Sequence, residues 1–156
     1  MKTLARLRVF CKTDHGASLV ELALVVPIML LLFAGAVDFG RWFYVSLQVT
    51  NAAHAGAEYG SLNPSDTAGI SAAARASAPN VNLSTPTVSW GCECSDGTSY
   101  SANCSPAPVC SAGSSRGSNV VHRVQVTTSA VYKTWMPWLV IPASFTIPET
   151  ATMRGN

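Results

Sequence analysis

From Leu22 to Val37 the chain carries no polar side chain, and the residues just ahead of this run are Ala17-Ser18-Leu19-Val20-Glu21. Residues 17–37 have the length of a membrane span, since about 20 residues at about 1.5 Å each cross a hydrocarbon core of about 30 Å. Glu21 is the only charge among them. An acid near the centre of a bilayer costs on the order of 2.5–3.5 kcal/mol, and less near the end of a span, where the side chain reaches the headgroups. A carboxylate kept at such a cost marks a functional position.

The flanks give the span a direction. Ahead of it lie Lys2, Arg6, Arg8 and Lys12 against Asp14, while Asp38 and Arg41 cancel each other beyond it. The positive-inside rule places residues 1–16 in the cytoplasm and everything after Val37 outside. A basic leader that ends in Gly16, a small Ala17 after it, and Glu21 as the fifth residue of the product together resemble a class III signal, the kind cut by a prepilin peptidase. A cut after Gly16 would leave the apolar run on the mature protein, whereas a secretory signal loses its apolar segment.

The stretch Gly16-Ala17-Ser18-Leu19-Val20-Glu21-Leu22-Ala23-Leu24-Val25-Val26-Pro27 is followed by Asp38-Phe39-Gly40-Arg41 and by Thr50-Asn51-Ala52-Ala53-His54-Ala55-Gly56-Ala57-Glu58-Tyr59-Gly60. Together they resemble the TadE-like family of minor pilins, or pseudopilins, of the bacterial tight-adherence (Flp-type) pilus machinery. The closing Ala151-Thr152-Met153-Arg154 is similar to the ending of many such proteins. The resemblance implies a single-pass protein of the bacterial inner membrane with a structural role in pilus assembly. It implies the lipid bilayer, a prepilin peptidase and other pilin and pilus-assembly subunits as partners. It also implies that the Glu21 carboxylate neutralises the new amino group of Ala17, on its own or a neighbouring subunit. Asp38 and Arg41 then form a boundary ion pair or contact a partner helix.

Composition limits the alternatives. Only 12% of the 156 residues are charged and the net charge is +2, most of the excess lying in the leader. The remainder is close to neutral, which gives no electrostatic footprint for nucleic acid. His54 and His122 have no Ser, Asp or Cys partner at motif spacing, so no enzyme, cofactor, metal or small-molecule substrate is expected.

Cys11 lies in the leader, and Cys92, Cys94, Cys104 and Cys110 form an even cluster on the exported side, which reads as two disulfides. A Cys92–Cys94 bond would close a strained, very small ring, so both are expected to bond Cys104 and Cys110, in either pairing. Such short loops contribute roughly 3 kcal/mol in the chain-entropy picture, which matters for a domain with a small core. C-x-C without a nearby His is a poor zinc pattern, and the absence of C-x-x-C argues against thiol exchange.

Charge, hydropathy and the resemblance to a class III signal together predict four parts: a leader over 1–16, a transmembrane helix over 17–37, an amphipathic extension over 38–60 and an extracytoplasmic domain over 61–156. Pro27, Gly35 and Gly40 are soft points of the long helix, and Trp42, Phe43 and Tyr44 suit a headgroup belt. The extension carries Val45, Leu47, Val49, Ala52, Ala53, Gly56 and Ala57 as its apolar set, with small residues that permit close packing. Asp66 caps a second helix over 67–78, ended by Pro79. Strands follow at 87–90 and 120–132, with 92–119 between them as a disulfide-pinned loop, and one or two final strands at 144–147 and 149–154. The expected class is α+β, a long helix joined to a small antiparallel sheet of pilin-like character. Trp135, Trp138, Leu139, Val140 and Ile141 either cover the sheet or form a docking surface.

Two other readings compete. One is an uncut, membrane-tethered binding domain outside any filament. The other uses Ala34-Gly35-Ala36 as a secretory cleavage site, which would release residues 37–156.

Overall fold

The computed structural model describes residues 15–110, 119–135 and 142–155. Its elements are helix α1 (His15–Leu62), helix α2 (Thr67–Ala76) and strands β1 (Thr87–Cys94), β2 (Tyr100–Ala102), β3 (Val120–Lys133) and β4 (Ser144–Gly155). The chain divides into two compact units, Met1–Arg41 and Trp42–Asn156. The leader as far as residue 14 lies outside the described residues, and so do Trp138, Leu139, Val140 and Ile141.

In the first unit α1 is apolar and exposed: Leu19, Leu24, Leu30 and Phe33 all present their side chains to the surroundings. Among the described residues α1 is the one helix long and apolar enough to cross a membrane.

The second unit is a four-stranded antiparallel sheet in the order β2-β1-β3-β4, with α2 and the later turns of α1. Val49, Ala52, Ala53, Gly56, Ala57 and Gly60 recur at intervals of three and four, which aligns them along one side of α1, and all are buried. Leu47, which the sequence places in the apolar set, falls off this stripe and is exposed. The core joins Ala53 and Ala57 of α1, Ile70 of α2, Val124 and Val126 of β3 and Ala151 of β4. One buried hydrogen bond fixes helix to sheet, the Thr128 hydroxyl donating to the Val49 carbonyl at 2.9 Å.

This packing depends on missing side chains. A Cβ on Gly60 would lie 2.7 Å from Val124 Cγ1 and 3.0 Å from Ile70 Cδ1, and one on Gly56 would lie 3.1 Å from Val126 Cγ1. Gly35, in the first unit, has nothing within 4 Å of its Cβ position.

The break between the helices follows its turn residues. Asp66 caps α2 as expected: its carboxylate accepts the Gly69 N–H at 2.9 Å and the Tyr59 hydroxyl at 2.9 Å. These donors, Gly69 first and Tyr59 second, hold the Asp66 carboxyl below its ordinary value. α2 ends at Ala76, two residues before the expected stop, with Ser77 as its cap.

The stretch from Cys92 departs from expectation. Cys92 and Cys94 are the last core-facing positions of β1, not the start of a loop, and Tyr100–Ala102 returns beside them as β2. The alternation Val88, Trp90, Cys92, Cys94 continues the strand because a bonded cysteine packs as a small apolar residue. The turn between the strands has Gly97 at φ 75° and Asp96 accepting from the Thr98 N–H at 3.0 Å. Of the one or two final strands expected, the structure has one, running through Pro148. β4 is an edge strand, where a proline without N–H is tolerated.

Gly60→Val is expected to lower the unfolding free energy of the full chain by about 1–3 kcal/mol, since overpacking outweighs the gain of about 0.3–0.5 kcal/mol in helix propensity. The urea midpoint in detergent micelles measures it, and an unshifted midpoint would mean that α1 is not held this close to the sheet. A second expectation concerns pH. A carboxylate whose folded value is lowered adds stability that is full above its unfolded value of about 3.9 and is lost as pH falls through the folded one. Asp66→Ala should therefore lower the thermal midpoint at neutral pH, and the gap to the unsubstituted chain should narrow in strong acid. A gap that stays constant throughout the acid range would contradict it.

Candidate functional site

The residues singled out in the sequence fall into two groups. Gly16 and Ala17 lie in the first turns of α1, and Glu21 follows one turn later as an exposed residue of the same helix. Ala17 and Glu21 are four residues apart, the spacing that puts two helical positions on one face. Asp38 and Arg41 pair on α1 at 3.7 Å, the i,i+3 contact expected of them. An ion pair with this much exposure stabilises little.

The second group gathers at one end of the sheet. Cys92 lies at disulfide distance from Cys104, with Cα atoms 4.8 Å apart, and Cys94 lies at disulfide distance from Cys110, with Cα atoms 5.5 Å apart. Of the two pairings open in the sequence, the structure has this one. The spacing works because Cys92 and Cys94 share the core face of β1, while Cys104 lies just past β2 and Cys110 further along the same connection.

What surrounds these sulfurs is set by strand register. His122 is the cross-strand partner of Cys92, and its Nδ1 lies 3.6 Å from Cys92 Sγ and 3.7 Å from Cys104 Sγ. These ligand-type atoms lie within 4.8 Å of one another. A sulfur bonded to sulfur, however, has no thiolate to offer a metal. Asn103 and Cys104 both have positive φ, at 53° and 55°. Asn takes that conformation readily, but for a residue such as Cys it costs roughly 1–2 kcal/mol.

On the opposite face of β1, between the two cysteines, Glu93 is only 4% exposed. Its carboxylate accepts from Arg154 Nε of β4 and pairs with Arg123 Nη1 of β3 at 3.6 Å. The Arg123 guanidinium also stacks over the Tyr100 ring at 5.5 Å, and that ring leaves no room for a side chain at Gly91. Arg123 and Arg154 are direct cross-strand neighbours, so the acid separates two like charges that would otherwise repel. Alternation could have exposed this cluster, since Glu93 lies between two cysteines and Arg123 is opposite Gly91. The expected loop over this segment hid it. Trp135 is 77% exposed at the start of the β3–β4 connection, whose base is closed by the Thr134 N–H donating to Ala143 at 3.1 Å.

A long apolar N-terminal helix followed by a small antiparallel sheet with two cysteine pairs at disulfide distance defines an α+β protein with one candidate membrane helix. The family model described as TadE-like protein matches residues 16–58, the segment on which the sequence resemblance was densest. No curated protein and no solved structure matches the chain.

The Glu93 cluster is asymmetric. Its arginine side chains are 34% and 54% exposed, while that of Glu93 is 6% exposed. Replacing Arg123 and Arg154 together by Met strands a buried carboxylate and is expected to cost about 3–5 kcal/mol. Glu93→Gln leaves two half-solvated arginines and should cost about 1 kcal/mol. Urea denaturation of the full chain ranks them, and the reverse order would show that water reaches the carboxylate.

Proposed function

We propose that this chain is a TadE-like minor pilin or pseudopilin with a structural role in assembling a tight-adherence pilus. The observation that carries the proposal is the family match over residues 16–58, a segment that includes the apolar part of α1. That helix exposes large aliphatic side chains along its length, an arrangement stable in lipid or among other helices and costly in water.

In this proposal residues 1–16 are a cytoplasmic leader, 17–37 cross the inner membrane and the sheet domain is outside. A prepilin peptidase cuts between Gly16 and Ala17. The cut frees an amino group one helical turn from Glu21, and the carboxylate neutralises it in a low-dielectric setting, where an unmatched charge would penalise a misregistered subunit. Asp38 and Arg41 close the outer boundary of the span. The oxidising exterior keeps the Cys92–Cys104 and Cys94–Cys110 bonds formed. The role is structural: the family match and the exposed apolar part of α1 speak for helix packing, and the proposal assigns no chemistry to the sheet domain.

The test is the mature N-terminus of protein extracted from the membranes of its native host, read by mass spectrometry. The expected start is Ala17, and Gly16→Leu should leave the full leader attached and abolish piliation. A start at Met1 in the unsubstituted chain would overturn the processing step and favour a tethered domain, and a start at Val37 would favour release.

A further inference from the structure

The two cysteine bridges sit in different chemical surroundings. We infer that Cys92–Cys104 is a thiol-exchange site, attacked at Cys104 by the thiolate of an external dithiol, and that Cys94–Cys110 is inert by comparison. One observation sets the direction of attack, and two separate this bridge from the other. Cys104 is part-exposed while Cys92 is 4% exposed, so an incoming thiolate reaches Cys104 Sγ and the electron pair departs on Cys92 Sγ. The His122 ring stands 3.6 Å from that departing sulfur, and with a hydrogen on Nδ1 it donates to the thiolate as it forms. Cys104 is held at φ 55°, a left-handed conformation that it can leave once the bond opens.

Among the described residues the second bridge shares the exposure pattern, Cys110 part-exposed and Cys94 buried, but has neither the histidine nor the positive φ. Cys110 Sγ faces the Pro108 carbonyl oxygen at 3.9 Å, an acceptor that cannot donate to a thiolate. No residue of this bridge is among those with positive φ.

The step balances. The dithiol's first thiolate forms a bond to Cys104 Sγ as the Cys92–Cys104 bond breaks, which leaves Cys92 as a thiolate beside His122. The second thiolate of the dithiol then attacks its own sulfur in the mixed disulfide and expels Cys104 as a thiolate. Two electrons pass from the dithiol to the cysteine pair, and the dithiol leaves as a disulfide. His122 acts as a positioning residue for this exchange, reaching the incoming reagent only through the sulfurs.

The full chain in detergent micelles, with Cys11 first blocked by N-ethylmaleimide, is treated with graded dithiothreitol, quenched with iodoacetamide and mapped by peptide mass spectrometry. Cys92 and Cys104 are expected to label at reductant levels that leave Cys94 and Cys110 bonded. The opposite order, or simultaneous opening, overturns the inference, and this outcome needs no substitution. Glutathione, a monothiol that needs a second molecule for the second step, should be trapped on Cys104 once iodoacetamide caps the freed Cys92, and its capture on Cys92 would overturn the direction of attack. His122→Phe should slow opening by about threefold while His122→Asn, which keeps a donor, restores part of the rate. An unchanged rate in H122F would remove His122 from the exchange.

Discussion

The sheet domain rests on how closely one helix approaches it. Ala52, Ala53, Gly56, Ala57 and Gly60 present almost no side chain to the strands, so the α1 backbone comes near enough for the Val49 carbonyl to accept a buried hydrogen bond from Thr128. Larger residues on that stripe would provide more apolar area and lose the approach. The domain takes the other course, a thin and tightly fitted core in which Val124, Val126 and Ile70 fill the space left by the two glycines. Dispersion at short range and few voids replace bulk burial.

A thin core leaves charged groups with little cover, and Glu93 is handled accordingly. Its carboxylate is taken out of water only where two guanidiniums from neighbouring strands accompany it. The apolar part of α1 faces the opposite problem, with aliphatic surface and no cover of its own among the described residues. One unit satisfies its polar group internally, and the other presents an apolar surface that calls for lipid or other helices.

Much of this was legible because the signals were local. The long helix, the Asp66 cap, the Asp38–Arg41 pair and the β3 strand each rest on spacing within one element, and each is present in the structure. What stayed hidden depends on register between strands. His122 stood alone in the sequence because its partner, Cys92, is thirty positions away and is reached only through β1–β3 pairing. Glu93, Arg123 and Arg154 come from three strands, and no local pattern joins them. The expected loop after Cys92 failed for a related reason: glycine, serine and proline in the connection hid the alternation that carries β1 through Cys94. Leu47 shows the reverse error, an apolar residue counted by composition when its angular position on the helix decides its burial.

The two cysteine bridges and the Glu93 cluster all lie where β1 meets the first residues of β3 and the last of β4. Beyond Thr127 β3 has lost β1 as a neighbour and keeps β4, and among the described residues its other side is met by the Leu83 bridge and the Ser84 N–H donating to the Ser129 carbonyl. Among the described residues the sheet is therefore cross-linked at one end and held at the other by pairing and packing alone. Strands that separate from the far end meet a covalent stop only at the cysteine pairs, so the bridges give local unfolding a direction along the strands.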